Sequence, residues 1–416
     1  VEASRAAELG ARQSYGKLLA WLTARCGDPA AAEDALAEAF LAALADWPLR
    51  GVPRQPEAWL LVTARRRWLD GHRRRRLHER LLPLLVGEEG AMPAEPVAGS
   101  AEPALIPDDR LRLLFLCAHP AIASSIQAPL MLQTVLGLDA ARIAAAFLVA
   151  PATMGQRLVR AKAKIRLARI PFVLPPAAAL PGRVAAVHQA IYAAYGCGWE
   201  AAVGEASTEL GAGLAEEAVL LARLCAQLLP DEPESLGLLA LLLHAQARQG
   251  ARRDARGAYV PLQQQDTRLW SAPLREEAET TLRRAAELGR PGRFQLEAAI
   301  QSVHAQRAVS GVTDWPALLR LYEGLNRIAP SVGARLGHAA AVAEVRGAAA
   351  GLALLDALAG EAPLQRHQPW WALRAHLLVR AGRRDEAARA YGQSIELATD
   401  PAVARFLQER AREAAG

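Results

Sequence analysis

Apolar residues recur along this chain at intervals of three and four. In DPAAAEDALAEAFLAALADW (Asp28 to Trp47), Leu36, Phe40, Ala43 and Leu44 make one stripe, and in PEAWLLVTARRRWLD, Ala58, Leu61, Val62 and Leu69 make another. Alanine and leucine dominate, while β-branched runs alternating with polar residues are almost absent, so the pattern predicts an all-α chain. Asp28 before Pro29 predicts a helix start, with the aspartate as N-cap and the proline at the first helical position. Two stretches interrupt the periodicity. Leu82 to Leu105 collects proline, glycine and acid and reads as a flexible linker, and Ile170 to Gly182 is a stiffer proline-dense break. The expected divisions are a domain over 5–81, a linker over 82–104, a second domain over 105–169, a proline-rich linker over 170–181 and a helical extension over 182–416.

The extension is repetitive. ARQGARRDARGAY (Ala247 to Tyr259) and VRAGRRDEAARAY (Val379 to Tyr391) align without gaps, at an offset near four units of about 34 residues, the tetratricopeptide period. Trp371, Ala375, Leu378, Gly382, Ala387 and Tyr391 sit where that period needs a large opener, a small contact, a turn glycine, and an alanine and aromatic to close. LLRLYEGLNRIAPS and LLARLCAQLLPDEP both look like second helices ending at proline, so stacked helix pairs are expected, with a plain antiparallel bundle as the alternative.

Charge sharpens the picture. The 416 residues carry a net charge of +6, and Thr63 to Arg76 (TARRRWLDGHRRRR), with seven arginines and one aspartate, accounts for all of it. A cationic excess confined to one segment suggests a local anionic partner. Arg65, Arg66, Arg67, Arg73 and Arg74 can hold a phosphate backbone, and Trp59 or Trp68 can stack on an unpaired base. Four consecutive arginines exceed what a solvated helix end requires. Upstream, Glu33, Asp34 and Glu38 line a helix without any basic residue, which is either a solvated face or a dock for a basic protein surface.

GLDAARIAAAFLVAPATMGQRLVRAKAKIRLAR has the form of a helix-turn-helix. Ile143, Ala144 and Phe147 pack a first helix, LVAP turns, and Thr153 to Ile165 form a second. Thr153, Gln156, Arg157 and Arg160 cluster toward its start, where recognition helices touch base edges, and Lys162 and Lys164 follow. A basic amphipathic helix in an ordinary bundle is the alternative.

No phosphate-cradling glycine loop, nucleophile elbow or metal constellation is visible, so neither an enzyme, a cofactor nor a metal is expected. Cys117 and His119 lack further ligands and read as a packed helix end. Scattered cysteines without a CxxC pair, and no apolar run of membrane-spanning length, suggest a cytoplasmic protein with no membrane partner.

Taken in order, AAEDALAEAFLAALADWP, GVPRQPEAWLLVTARRRWLD, IPDDRLRLLFLCAHPAI and ATMGQRLVRAKAKIR resemble the extracytoplasmic-function sigma factors of bacterial RNA polymerase. QQQDTRLW, GRPGRFQLEAAIQSVHA and RRDEAARAYGQSIELATDPAVARFLQER resemble the subgroup with a tetratricopeptide-like extension. The resemblance implies sigma region 2 and region 4 domains and two partners, core polymerase (its beta and beta-prime subunits) and promoter DNA. It places Glu33, Asp34 and Glu38 against polymerase, Trp59 to Arg76 on the melted minus-ten strand, and the Thr153 to Arg160 helix on minus-thirty-five duplex. A protein or small ligand on the C-terminal repeats is a further expected partner. Two other classes stay open: a helix-turn-helix regulator that works without polymerase, and a repeat scaffold whose sigma-like region has decayed.

Overall fold

A computed structural model describes residues 2–86, 109–147, 149–201 and 208–415, with side chains described over 14–73, 109–147, 149–176, 178–198, 213–361 and 364–415. The described residues contain no strand, only an isolated bridge between Arg253 and Tyr259. The expected all-α class is what the chain adopts. It forms two compact units, Val1–Gly198 with Ala212–Leu224, and Trp199–Gly211 with Cys225–Gly416.

In the first unit, helices α1 (Glu2–Cys26), α2 (Pro29–Arg50) and α3 (Pro56–Val86) pack side by side. Asp28 caps α2 as expected, its carboxylate accepting from Ala30 N at 3.0 Å, with Pro29 at the first helical position. Leu18, Leu19 and Leu22 of α1, Leu36, Ala39, Ala43 and Trp47 of α2, and Leu60 and Ala64 of α3 are buried together. The inward stripes differ from the expected ones. Leu44 and Val62 point to solvent, at 45% and 52% exposure, and Leu60 and Ala64 take the inward positions on α3. In the run WLLV every residue is apolar, so periodicity alone does not choose the face, and Trp59, set edge-to-face on Trp47 at 5.6 Å, chooses it. Helix α3 continues to Val86, past Leu82 where the linker was expected, and 87–108 lie outside the described residues.

Helices α4 (Asp109–Cys117), α5 (Ser124–Thr134), α6 (Ala140–Ala146) and α7 (Pro151–Leu167) follow. Asp139 caps α6 by accepting from Ala141 N and Arg142 N, both at 2.9 Å, and Pro151 opens α7. Ile143 and Ala144 of α6 and Met154, Leu158, Ala161 and Ile165 of α7 are buried. This block presses on α1. A Cβ added at Gly16 of α1 would lie 1.8 Å from the Val135 carbonyl oxygen at the end of α5, and Tyr15 lies along Gly137, whose φ of +64° turns the chain. Helix α8 (Pro181–Ala201) and the middle of α9 (Thr208–Leu228) complete the unit. Arg183 of α8 donates to the Phe115 carbonyl at 3.3 Å, and the buried Arg110 of α4 pairs with Glu217 of α9.

The second unit continues with α10 (Pro233–Ala247), α11 (Ala272–Glu287), α12 (Arg293–Ala305), α13 (Arg307–Ser310), α14 (Trp315–Ile328), α15 (Val332–Arg346), α16 (Ala348–Leu358), α17 (Ala362–Gln365), α18 (Gln368–Arg380), α19 (Arg384–Glu396) and α20 (Pro401–Ala415). Neighbours in sequence pack as neighbours in space: α14 on α15, α15 on α16, α18 on α19, α19 on α20. Ala375, Leu378, Ala387 and Tyr391 are buried at the α18/α19 contact, and Gly382 turns between the helices at φ +74°. The aromatic anchor is Trp370, 2% exposed, with Trp371 standing edge-on to it. The aligned segment Ala247 to Tyr259 does not form a second helix pair. Asp254 accepts from Arg256 N and Ala258 N at 2.8 Å, and a short loop closes at the Arg253–Tyr259 bridge, consuming the residues that a helix would need.

Candidate nucleic-acid interface

The acidic residues of α2 occupy three environments. Asp34 and Glu38 are exposed, whereas Glu33 is half-buried between two other elements. Tyr15 of α1 donates its hydroxyl to one Glu33 oxygen at 3.4 Å, and the Lys162 ammonium of α7 meets the other at 2.5 Å. Burial, followed by the Glu33 charge, pushes the Tyr15 phenol well above its ordinary pKa, so the hydroxyl stays protonated and able to donate. Glu38 faces α3 instead, its carboxylate 3.9 Å from Arg67 Nε.

On α3, Arg65, Arg66, Arg67 and Arg73 are exposed, so the helix carries a cationic surface on the side away from Leu60 and Ala64. The two tryptophans among them are half-buried: Trp59 sits against Trp47, and Trp68 stacks on His72 with centroids 5.8 Å apart and planes 22° off parallel. The side chain of Arg74 lies outside the described residues.

On α7, Thr153, Gln156, Arg157, Arg160 and Lys164 are exposed on the face opposite Met154, Leu158, Ala161 and Ile165. Lys162 points the other way, its side chain 17% exposed and held by Glu33, whose side chain is 22% exposed. One first unit therefore presents two cationic helices, and the anionic helix α2 reaches each of them through one carboxylate. The pattern along the sequence expected these residues on three helices, where they lie, with Lys162 turned inward rather than onto the exposed face of α7. It carried no signal for the Lys162–Glu33 link, whose members are 129 residues apart, nor for Tyr15 at the same contact.

Cys117 is buried with its sulfur 3.4 Å from the Thr134 hydroxyl, and burial pushes its thiol up to about 12. His119 accepts from Ala121 N at 3.1 Å, so both side chains serve the end of α4. Among the described residues no group of three or more potential metal ligands gathers, and no helix is long and apolar enough to cross a membrane.

Residues 11–78 match the family Sigma-70 region 2, which covers α2, most of α1 and the arginine-bearing part of α3. Residues 183–286 match a family of unknown function, DUF6596. No solved structure matches the chain. Over 377 residues, 91% of this chain and 88% of the relative, it is 40% identical to "Uncharacterized protein R00370" of Rhizobium meliloti (strain 1021). The chain belongs to one family with that Rhizobium protein, and its N-terminal part is sigma-factor-like.

Proposed function

We propose that this protein is a sigma factor of the extracytoplasmic-function type, acting in the cytoplasm, in which α2 docks on core polymerase, α3 holds the melted minus-ten strand and α7 reads minus-thirty-five duplex. The observation that carries the reading is the exposed series Arg65, Arg66, Arg67 and Arg73 on the helix that the Sigma-70 region 2 match includes. Arginines there supply the salt-dependent, sequence-independent grip on phosphate. The exposed Thr153, Gln156, Arg157 and Arg160 at the start of α7 supply polar ends for base edges, in the position recognition helices use. Asp34 and Glu38 supply the anionic contact for a basic polymerase surface. No step of nucleotide chemistry falls to this chain, since polymerase provides it. The extension, built from tetratricopeptide-like helix pairs, regulates initiation.

Run-off transcription with purified core polymerase tests the reading. A promoter-dependent product that vanishes when Arg65, Arg66 and Arg67 are changed together to alanine supports it. No product from promoters upstream of the genes it induces, with a control sigma factor active, refutes it. A regulator that works without polymerase would instead bind such promoters tightly alone and be indifferent to charge reversal at Asp34 and Glu38.

A further inference from the structure

Helix α7 presents surfaces of three kinds. At about 100° per residue, Met154, Leu158, Ala161 and Ile165 form the buried stripe. Thr153, Arg157 and Lys164 lie along one flank, and Lys162 lies along the other, turned to Glu33. Opposite the buried stripe runs a third strip, made of Ala152, Gln156, Val159, Arg160 and Ala163.

Val159 differs from the rest of that strip. It is 67% exposed, so it adds nothing to the core, and a β-branched residue loses side-chain freedom in a helix without gaining packing there. Gln156, one turn back, and Arg160, the next residue on, are exposed, and neither side chain meets a hydrogen-bond or ion-pair partner among the described residues. Helix α7 contains no carboxylate. Ala152 and Ala163 are small, which lets the strip approach a partner closely.

The major groove of B-DNA is about 12 Å wide and admits a helix about 10–12 Å across. Base edges there offer hydrogen-bond donors and acceptors and one apolar group, the C5 methyl of thymine. Arg160 matches the paired acceptors of guanine, and Gln156 matches the donor and acceptor of adenine. The isopropyl group of Val159 can do neither, and the thymine methyl is what the groove has for it to meet.

We propose, on the basis of the duplex-reading role of α7, that Val159 is a specificity-determining residue whose methyl groups pack on the C5 methyl of one thymine in the minus-thirty-five element. Gln156 and Arg160 hydrogen-bond to base edges on either side of it, while Arg157 and Lys164 on the flank hold phosphates. The contact takes roughly one methyl group out of water, which corresponds to about fourfold in affinity.

The test first selects the bound duplex from a library of random sequence, with the full chain in the presence of core polymerase. Each thymine of the selected site is then replaced singly by deoxyuridine, which lacks only the methyl group, and binding is measured by competition for the natural protein and for Val159→Ala. One thymine is expected at which the replacement weakens binding about fourfold for the natural protein and less than about 1.5-fold for Val159→Ala. Because Val159 is exposed and alanine is the stronger helix former, the variant keeps its fold, as circular dichroism will verify. A selected site at which no deoxyuridine replacement matters, or at which it costs the two proteins equally, overturns the methyl contact and leaves α7 as a duplex reader. No enrichment of any paired element overturns the duplex-reading role and the contact with it.

Discussion

The two cationic helices of the first unit meet the anionic helix α2 in different ways. Lys162 of α7 and Glu33 are each less than a quarter exposed, and Tyr15 holds the second Glu33 oxygen. Arg67 of α3 and Glu38 are about half exposed, at 49% and 57%, and their nearest atoms stand 3.9 Å apart. The same charge types on one helix thus yield a half-buried three-residue contact in one case and a solvated approach in the other. Burial, not charge count, decides which of them holds helices together, because exposed pairs contribute at most about 1 kcal/mol while breaking a buried pair strands its partner.

The largest expected effect comes from removing the close approach between α1 and the end of α5. Gly16→Ala places a methyl group against the Val135 carbonyl and is expected to lower unfolding free energy by about 3 kcal/mol, read as a drop in the urea midpoint. A smaller loss follows for Glu33→Gln, which leaves a half-buried ammonium facing a neutral amide. About 1–2 kcal/mol is expected, and a double-mutant cycle with Lys162→Met should return a coupling near 1 kcal/mol. The equivalent cycle between Glu38→Gln and Arg67→Met should return less than about 0.5 kcal/mol. Equal couplings from the two cycles would erase the distinction. Salt sharpens it further: raising sodium chloride from 0.1 to 1 M shortens the screening length from about 10 to 3 Å and should abolish the Glu38 coupling while leaving most of the Glu33 coupling. The smallest change concerns ligand binding. Each of Arg65→Ala and Arg66→Ala should reduce the salt slope for single-stranded promoter DNA by about 0.7, measured by fluorescence anisotropy across a salt titration.

Much of this was legible in the sequence because it is local. Ala- and Leu-rich periodicity predicted the helical class, Asp28 before Pro29 announced the start of α2, and the exposure of Thr153, Gln156, Arg157 and Arg160 follows from their spacing around buried Met154 and Leu158. What escaped is non-local or degenerate. The run from Trp59 to Val62 is apolar at every position, so its inward face awaited Trp47. The partner of Glu33 lies on another helix far along the chain, beyond any periodicity. The likeness between Ala247–Tyr259 and Val379–Tyr391 is real in sequence, yet Asp254 draws the first of them into a tight loop, so shared residues at shared spacing did not suffice for a shared helix pair.

As proposed, α2 offers an anionic dock to polymerase while its neighbours turn cationic faces to DNA. The most direct test is equilibrium binding of the full chain to purified core polymerase, compared with a variant carrying Asp34→Lys and Glu38→Lys, both exposed and outside the buried contact. Submicromolar association is expected for the natural chain, weakened at least tenfold by the reversal. No association of the natural chain, or equal affinity for the two, would contradict it.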